Sequence, residues 1–225
     1  MKSFLKLYLS NAAFLEDEAA FREGYTRVLP VRQAKIDAVS AAKDKRLSLA
    51  AGLLLKYAME DNGFDYPDSV FGVGEQDKPF DKAERFCFNL SHSERMVLAA
   101  VSSEPVGCDI QNVGKFDLRI AKRFFHPDEY QTIASLSDPE MQKECFYRLW
   151  TFKESYLKLT GSGFSTSPDS FCVSLTPEVR FRGNDEIHFS EKLIDTDYRC
   201  ACCSVLADKA EWQMIDLKSN KKSVL

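Results

Sequence analysis

Apolar positions along the chain switch between a period of two and a period near 3.6, and the elements they predict form an ordered series. Residues 3 to 9, SFLKLYL, alternate as a strand, and 11 to 24 predict a helix or loop ending at Gly24. From Arg32 the pattern turns helical: AKDKRLSLAAGLLLKYAMEDNG sets Leu47, Ala50, Ala51, Leu54, Leu55 and Ala58 on one face and stops at Asn62-Gly63. Residues 64 to 80 predict a loop or short strands ending in QDKPF. FCFNL and RMVLAAVSS then predict two strands joined at SHSE, which puts Ser91 and His92 in the turn. Pro105 closes that hairpin. VGCDIQ is a further strand, with Val106, Cys108 and Ile110 on one face and Gly107, Asp109 and Gln111 on the other. In RIAKRFFHPDEYQTIASL one helix ends at Phe124-Phe125 and Pro127 opens the next. A helix over FYRLWTFKESYLKLTGSGF follows, then strand-rich segments SFCVSL, EIHFS, YRCACCSVLA and EWQMIDL, with SNKKSVL as a frayed tail. This order is of α+β type, and the second half is expected to echo the first without a literal repeat.

The helix predicted over 146 to 164 departs from a purely structural pattern. At about 100° per residue, Phe146, Tyr147, Leu149, Trp150, Phe152, Tyr156, Leu157 and Leu159 fill a broad apolar arc, while Arg148, Thr151, Ser155 and Lys158 make a narrow polar side. Lys153 and Glu154 fall inside the apolar arc. Such charges either reach a surface or a partner side chain, or they serve a site. Gly161 and Gly163 supply a left-handed stop and a loop that a ligand could approach closely.

Composition narrows the function classes. A chain of 225 residues is long enough for one large domain or two small ones, and a net charge of -4 gives no overall field for nucleic acid or an anionic membrane. Any anion must therefore meet a local cluster, such as Arg32, Lys35, Lys43, Lys45 and Arg46 near the start of the first long helix. The longest apolar run, LAAGLLL, is too short to span a bilayer, and the first residues turn acidic where a signal peptide would be cleaved. Seven cysteines, an odd number scattered in apolar segments, suit reduced thiols in the cytoplasm. CACC lacks a second ligand pair at zinc spacing, so no zinc site is expected there. Asp109 is a poor strand former in an apolar strand, which points to a structural hydrogen bond or a metal.

FNLSHSE, VGCDIQ, RFFHPDEY and RLWTFKESYLKLTGSGF, in this order, resemble motifs of the Sfp-type 4'-phosphopantetheinyl transferases, as do KDKR before the Ala-Leu-rich helix and the lone KPF. The resemblance spans residues 43 to 164. It implies a pseudo-dimer of two similar α+β halves with the active site between them, and places the boundary so that residues 1–104 form the N-terminal half and 105–225 the half with the metal motifs. It implies transfer of the phosphopantetheine arm of coenzyme A to a serine of an acyl, peptidyl or polyketide carrier protein, with magnesium as cofactor and a monomeric enzyme. Asp109 and Glu154 would bind the metal, with Gln111 standing where many relatives have a second acid. Lys158, one turn beyond Glu154, would reach the phosphates, so that Asp109, Glu154 and Lys158 carry catalysis. Arg46, Ser91 and His92, with Lys78 beside them, would hold the 3'-phosphate end of coenzyme A. Glu154 is the obvious general base, with a water relay or Glu129 as the alternatives. A different reading, a non-catalytic coenzyme A or carrier-binding module, would need the same fold with the metal site lost at Gln111. A magnesium-dependent nucleotide hydrolase would use the same carboxylates.

Overall fold

A computed structural model describes residues 3–66, 71–74, 79–207, 209–219 and 221–224. Its helices are α1 (Glu18–Thr26), α2 (Pro30–Ala38), α3 (Ala42–Asp61), α4 (Leu118–Phe124), α5 (Pro127–Ala134) and α6 (Pro139–Thr160). The strands of the first part are β1 (Leu5–Asn11), β2 (Phe71–Val73), β3 (Pro79–Asp81), β4 (Cys87–Ser93) and β5 (Met96–Ser102). They are followed by β6 (Val106–Asn112), β7 (Val173–Ser174), β8 (Arg180–Phe181), β9 (His188–Ile194), β10 (Tyr198–Ser204), β11 (Glu211–Asp216) and β12 (Lys221–Val224). The mixture of helices and sheets is α+β, and no helix among the described residues is long and apolar enough to cross a membrane.

The chain divides into two compact units, one of Met1–Ser103 with Ala210–Leu225 and one of Glu104–Lys209. In the first, a sheet runs in the order β12-β11-β1-β5-β4, with α3 packed across β1, β4 and β5. Strand β5 is buried along its whole length, which is why MVLAAVS reads as a continuous apolar run and not as an alternation. Leu47, Leu54 and Met59 of α3 meet Ala99 and Val101 of β5 in one core. The second unit holds a β6-β10-β9 sheet, antiparallel throughout, with α6 lying on β6 and β10. Its core is aromatic: Phe125 stacks on Phe146, and Phe146 on Trp150.

Three features depart from the pattern-based expectation. The segment after Lys209 does not stay with the second half. Trp212, Ile215 and Leu217 are buried, β11 pairs parallel with β1, and Lys221–Val224 of the tail expected to fray form an edge strand, β12, on β11. A parallel pair needs a long crossover, and here the connection from β1 to β11 includes the entire second unit. Second, α1 continues past Gly24 to Thr26. Third, Ser93 pairs with Met96, which leaves Glu94 and Arg95 as a two-residue turn with Glu94 at φ 52°. Ser91 and His92 therefore belong to β4, opposite Leu98 and Val97, and not to the turn.

Candidate active site

Helix α6 brings its narrow polar side, not its apolar arc alone, against the sheet. Thr151 and Ser155 are buried there and return their hydroxyls to helix carbonyls: Thr151 donates to Tyr147 at 2.9 Å and Ser155 to Phe152 at 2.8 Å. Small, internally satisfied side chains let the helix come close. How close is set by Gly107 of β6, where a Cβ would lie 2.0 Å from the Ser155 carbonyl oxygen and 2.3 Å from the Leu159 nitrogen. Backbone meets backbone at this point, a role that only glycine fills.

Two residues along the same strand face, Asp109 is 2% exposed and sits beside α6. Lys158 Nζ donates to Asp109 Oδ1 at 2.6 Å, and Gln111 Nε2 donates to Asp109 Oδ2 at 2.9 Å. Both neighbours on β6 and α6 therefore converge on one carboxylate, as the strand alternation predicts for Gln111. Glu154, one helical turn before Lys158, is half-buried. Burial raises its pKa above the usual carboxylate range, the charge of Asp109 raises it further, and Lys158 draws it back down. Burial alone would pull the Lys158 ammonium down, but the charge and hydrogen bond of Asp109 outweigh it and the net shift is upward.

Lys153, adjacent to Glu154, has a different fate. It is 2% exposed, donates to Glu129 Oε1 and to the Phe171 carbonyl, each at 2.8 Å, and lies 4.1 Å from the centroid of the Phe171 ring. Glu129 is equally buried and also accepts from the His126 nitrogen at 2.9 Å and the Val173 nitrogen at 2.7 Å. An ammonium and two backbone amides together hold this carboxylate in place. Glu129 is thus a tie between α5, α6 and the segment entering β7. The two charges inside the apolar arc separate into Lys153, tied to Glu129, and Glu154, within electrostatic reach of Asp109 and Lys158, a division that the helical wheel leaves open.

The remaining anion-binding candidates belong to the first unit. Arg46 is half-buried in the second turn of α3, while Ser91 is buried and His92 exposed on β4. The Lys43–Glu94 ion pair, 2.7 Å, ties the start of α3 to the β4–β5 turn, so Arg46, Ser91 and His92 lie toward the same end of this unit. Arg32 and Lys35 line an apolar cavity with Leu55, Tyr66, Phe71 and Pro79. The Arg32 stem lies on α3 beside Gly52, and burial lowers its pKa. Lys78 lies outside the described residues.

Comparison with known proteins places this arrangement. The family model of the 4'-phosphopantetheinyl transferase superfamily matches residues 105–203, the stretch that holds the β6–α6 cluster. The chain is 34% identical over 170 residues to the 4'-phosphopantetheinyl transferase gsp of Aneurinibacillus migulanus, covering 73% of this chain and 71% of that one. It is 34% identical over 173 residues to a 4'-phosphopantetheinyl transferase of Bacillus subtilis, covering 74% of this chain and 77% of the relative. The chain belongs to the Sfp-type 4'-phosphopantetheinyl transferase family. Over a shorter span of 94 residues it is 48% identical to the transferase psf-1 of Bacillus pumilus, covering 41% of this chain and 40% of that one. The sequence places Gly107 on the face of Asp109 but assigns it no role, and the structure shows it setting the approach of α6. Its signal was a glycine inside an apolar strand, which marks close backbone approach.

Proposed function

We propose that this chain transfers the 4'-phosphopantetheine arm of coenzyme A to a serine of an apo acyl or peptidyl carrier protein, releasing adenosine 3',5'-bisphosphate. The observation that carries the reading is the convergence of Asp109, Gln111 and Lys158, with Glu154 electrostatically coupled to them, inside the segment matched by the family model. A serine hydroxyl attacking an already anionic phosphorus needs added positive charge and a proton acceptor.

The donor set fits magnesium. Burial and the charge of Asp109 make Glu154 costly to ionise, and both carboxylates are hard oxygen ligands of the kind that ion takes. Asp109 and Glu154 would hold it. When bound, the ion neutralises pyrophosphate charge. Gln111 supports it indirectly: its amide N–H orients Asp109 Oδ2, and as a neutral group it adds no charge of its own. Lys158 supplies a cation that orients Asp109 and is available to a phosphate oxygen. Glu154 would serve to take the hydroxyl proton, directly or through a water. Arg46, Ser91 and His92, with Lys78, are the donors assigned to the 3'-phosphate. The seven free thiols suit a reducing cytoplasm, and a monomer suits a chain with two units of its own.

Mass spectrometry of an apo carrier protein incubated with coenzyme A, magnesium and this protein tests the reading. A phosphopantetheine-sized gain on the carrier, absent with Asp109→Ala, is the expected outcome. Binding of coenzyme A or carrier without any mass gain would replace the transferase by a binding module.

A further inference from the structure

Away from the β6–α6 cluster, three side chains of metal-binding type are gathered by the same buried carboxylate that anchors Lys153. His126 is the N-cap of α5, Asp128 lies in its first turn, and Cys172 immediately precedes β7. One ligand atom from each falls within 4.8 Å of the other two. Cys172 is far from the other two in sequence but shares their scaffold: Glu129 accepts from the His126 nitrogen through Oε2 and from the Val173 nitrogen through Oε1, while Lys153 binds both oxygens. The residue next to Cys172 and the backbone of His126 are thereby held on one carboxylate. This is the kind of outer support that fixes ligand geometry.

We propose that His126, Asp128 and Cys172 form a second metal site, for a divalent ion of borderline softness such as zinc. An imidazole, a carboxylate and a thiolate match that ion, and the hard magnesium ion has no use for a thiolate. Ligand atoms 2.0–2.3 Å from zinc stand roughly 3.5 Å apart at tetrahedral angles, so closing the cluster takes on the order of 1 Å of side-chain movement. Water supplies the fourth position. Arg182 already bonds Asp128 Oδ2 and orients that carboxylate, while its charge opposes the cation and keeps the site weaker than a closed structural one. The thiol proton leaves to solvent on binding.

The site is also linked to the helix it sits on. His126 Nδ1 accepts the Asp128 backbone N–H at 3.2 Å. Ligation at Nδ1 uses that lone pair, and ligation at Nε2 moves the ring proton to Nδ1, so either mode releases this cap bond. The Glu129 half of the capping box remains and keeps α5 in place.

Titration of the full chain with cobalt(II) reads the site without reference to activity, because a thiolate ligand adds a near-ultraviolet charge-transfer band to the tetrahedral cobalt spectrum. The band is expected in the parent protein and in Asp109→Asn, to persist in excess magnesium, and to be displaced by zinc, which should also raise Tm. Cys172→Ala should abolish it. His126→Asn, which keeps a capping oxygen so that the helix survives, should weaken cobalt binding at least tenfold while melting like the parent without metal. Absence of a thiolate band in the parent, its survival in Cys172→Ala, or its loss in Asp109→Asn would each overturn the proposal.

Discussion

At the scale of single residues, Glu154 is placed where ionisation is costly, and that cost separates its functional from its structural effect. On the proposed assignment, Asp109→Ala and Glu154→Ala each abolish transfer, and the carrier mass assay reads this directly. Glu154→Gln should lose activity too, yet not stability. The folded pKa of Glu154 lies above its unfolded value, so the folded state binds this proton more tightly; its contribution is favourable below the unfolded carboxylate range and is lost as pH rises through the folded value. At neutral pH and without metal the glutamine variant should therefore melt at or above the parent, with the gap closing as pH falls. Melting curves across that range check the sign. Gln111 gives a second test. Its amide N–H is on Asp109 Oδ2 and it brings no charge, so Gln111→Glu should lower the magnesium concentration for half-maximal activity, while Gln111→Ala changes it modestly. Titrating magnesium at fixed coenzyme A for the three proteins decides it, and an inactive Gln111→Ala would make this residue an indispensable metal ligand.

At the scale of elements, the site is a consequence of how near α6 lies to β6, and Gly107 sets that distance. An added methyl would meet the Ser155 carbonyl and the Leu159 nitrogen, which are backbone atoms that cannot rotate aside. Gly107→Ala should therefore cost at least about 3 kcal/mol, the upper end of ordinary overpacking, and should lower activity by moving Lys158 and Glu154 away from Asp109. Thermal melting and the carrier assay together test this; a variant as stable and active as the parent would show that α6 is not seated there. The same elements show what the sequence could and could not disclose. Strand alternation correctly put Gly107, Asp109 and Gln111 on one face, because a period of two leaves no other choice once the strand is known. Pro127 and Gly161 marked helix ends for equally local reasons, the latter at φ 67°. The wheel could not separate Lys153 from Glu154, since what divides them is a partner 24 residues away, Glu129. Ser91 and His92 were misplaced because two polar serines around a histidine imitate turn chemistry, whereas pairing with β5 continues through them to Ser93.

At the scale of the whole molecule, the order of strands in the sheet is not the order in the chain. The last strands return to the first unit, with β11 on the edge of β1 and β12 beyond it. A cut between residues 104 and 105 would therefore not yield two folding units, even though one compact unit ends and the other begins close to it. The fragment 1–104 lacks Trp212, Ile215 and Leu217, which are 6%, 2% and 5% exposed in the intact chain. At about 1.5–3 kcal/mol for each buried large apolar side chain, their loss is on the order of 5–9 kcal/mol, comparable with the whole stability of an ordinary domain. It also strips β1 of its parallel partner and leaves a row of unpaired backbone groups as an aggregation-prone edge. Deleting residues 211–225 from the full chain should act in the same way on the first unit: amides of β1 and β5 should lose hydrogen-exchange protection, while β6 and α6, which pack on each other and on β10, should retain much of theirs. Hydrogen exchange resolved by segment measures both at once. Protected β1 amides in the shortened chain would mean that the first unit closes its core without the returning strands.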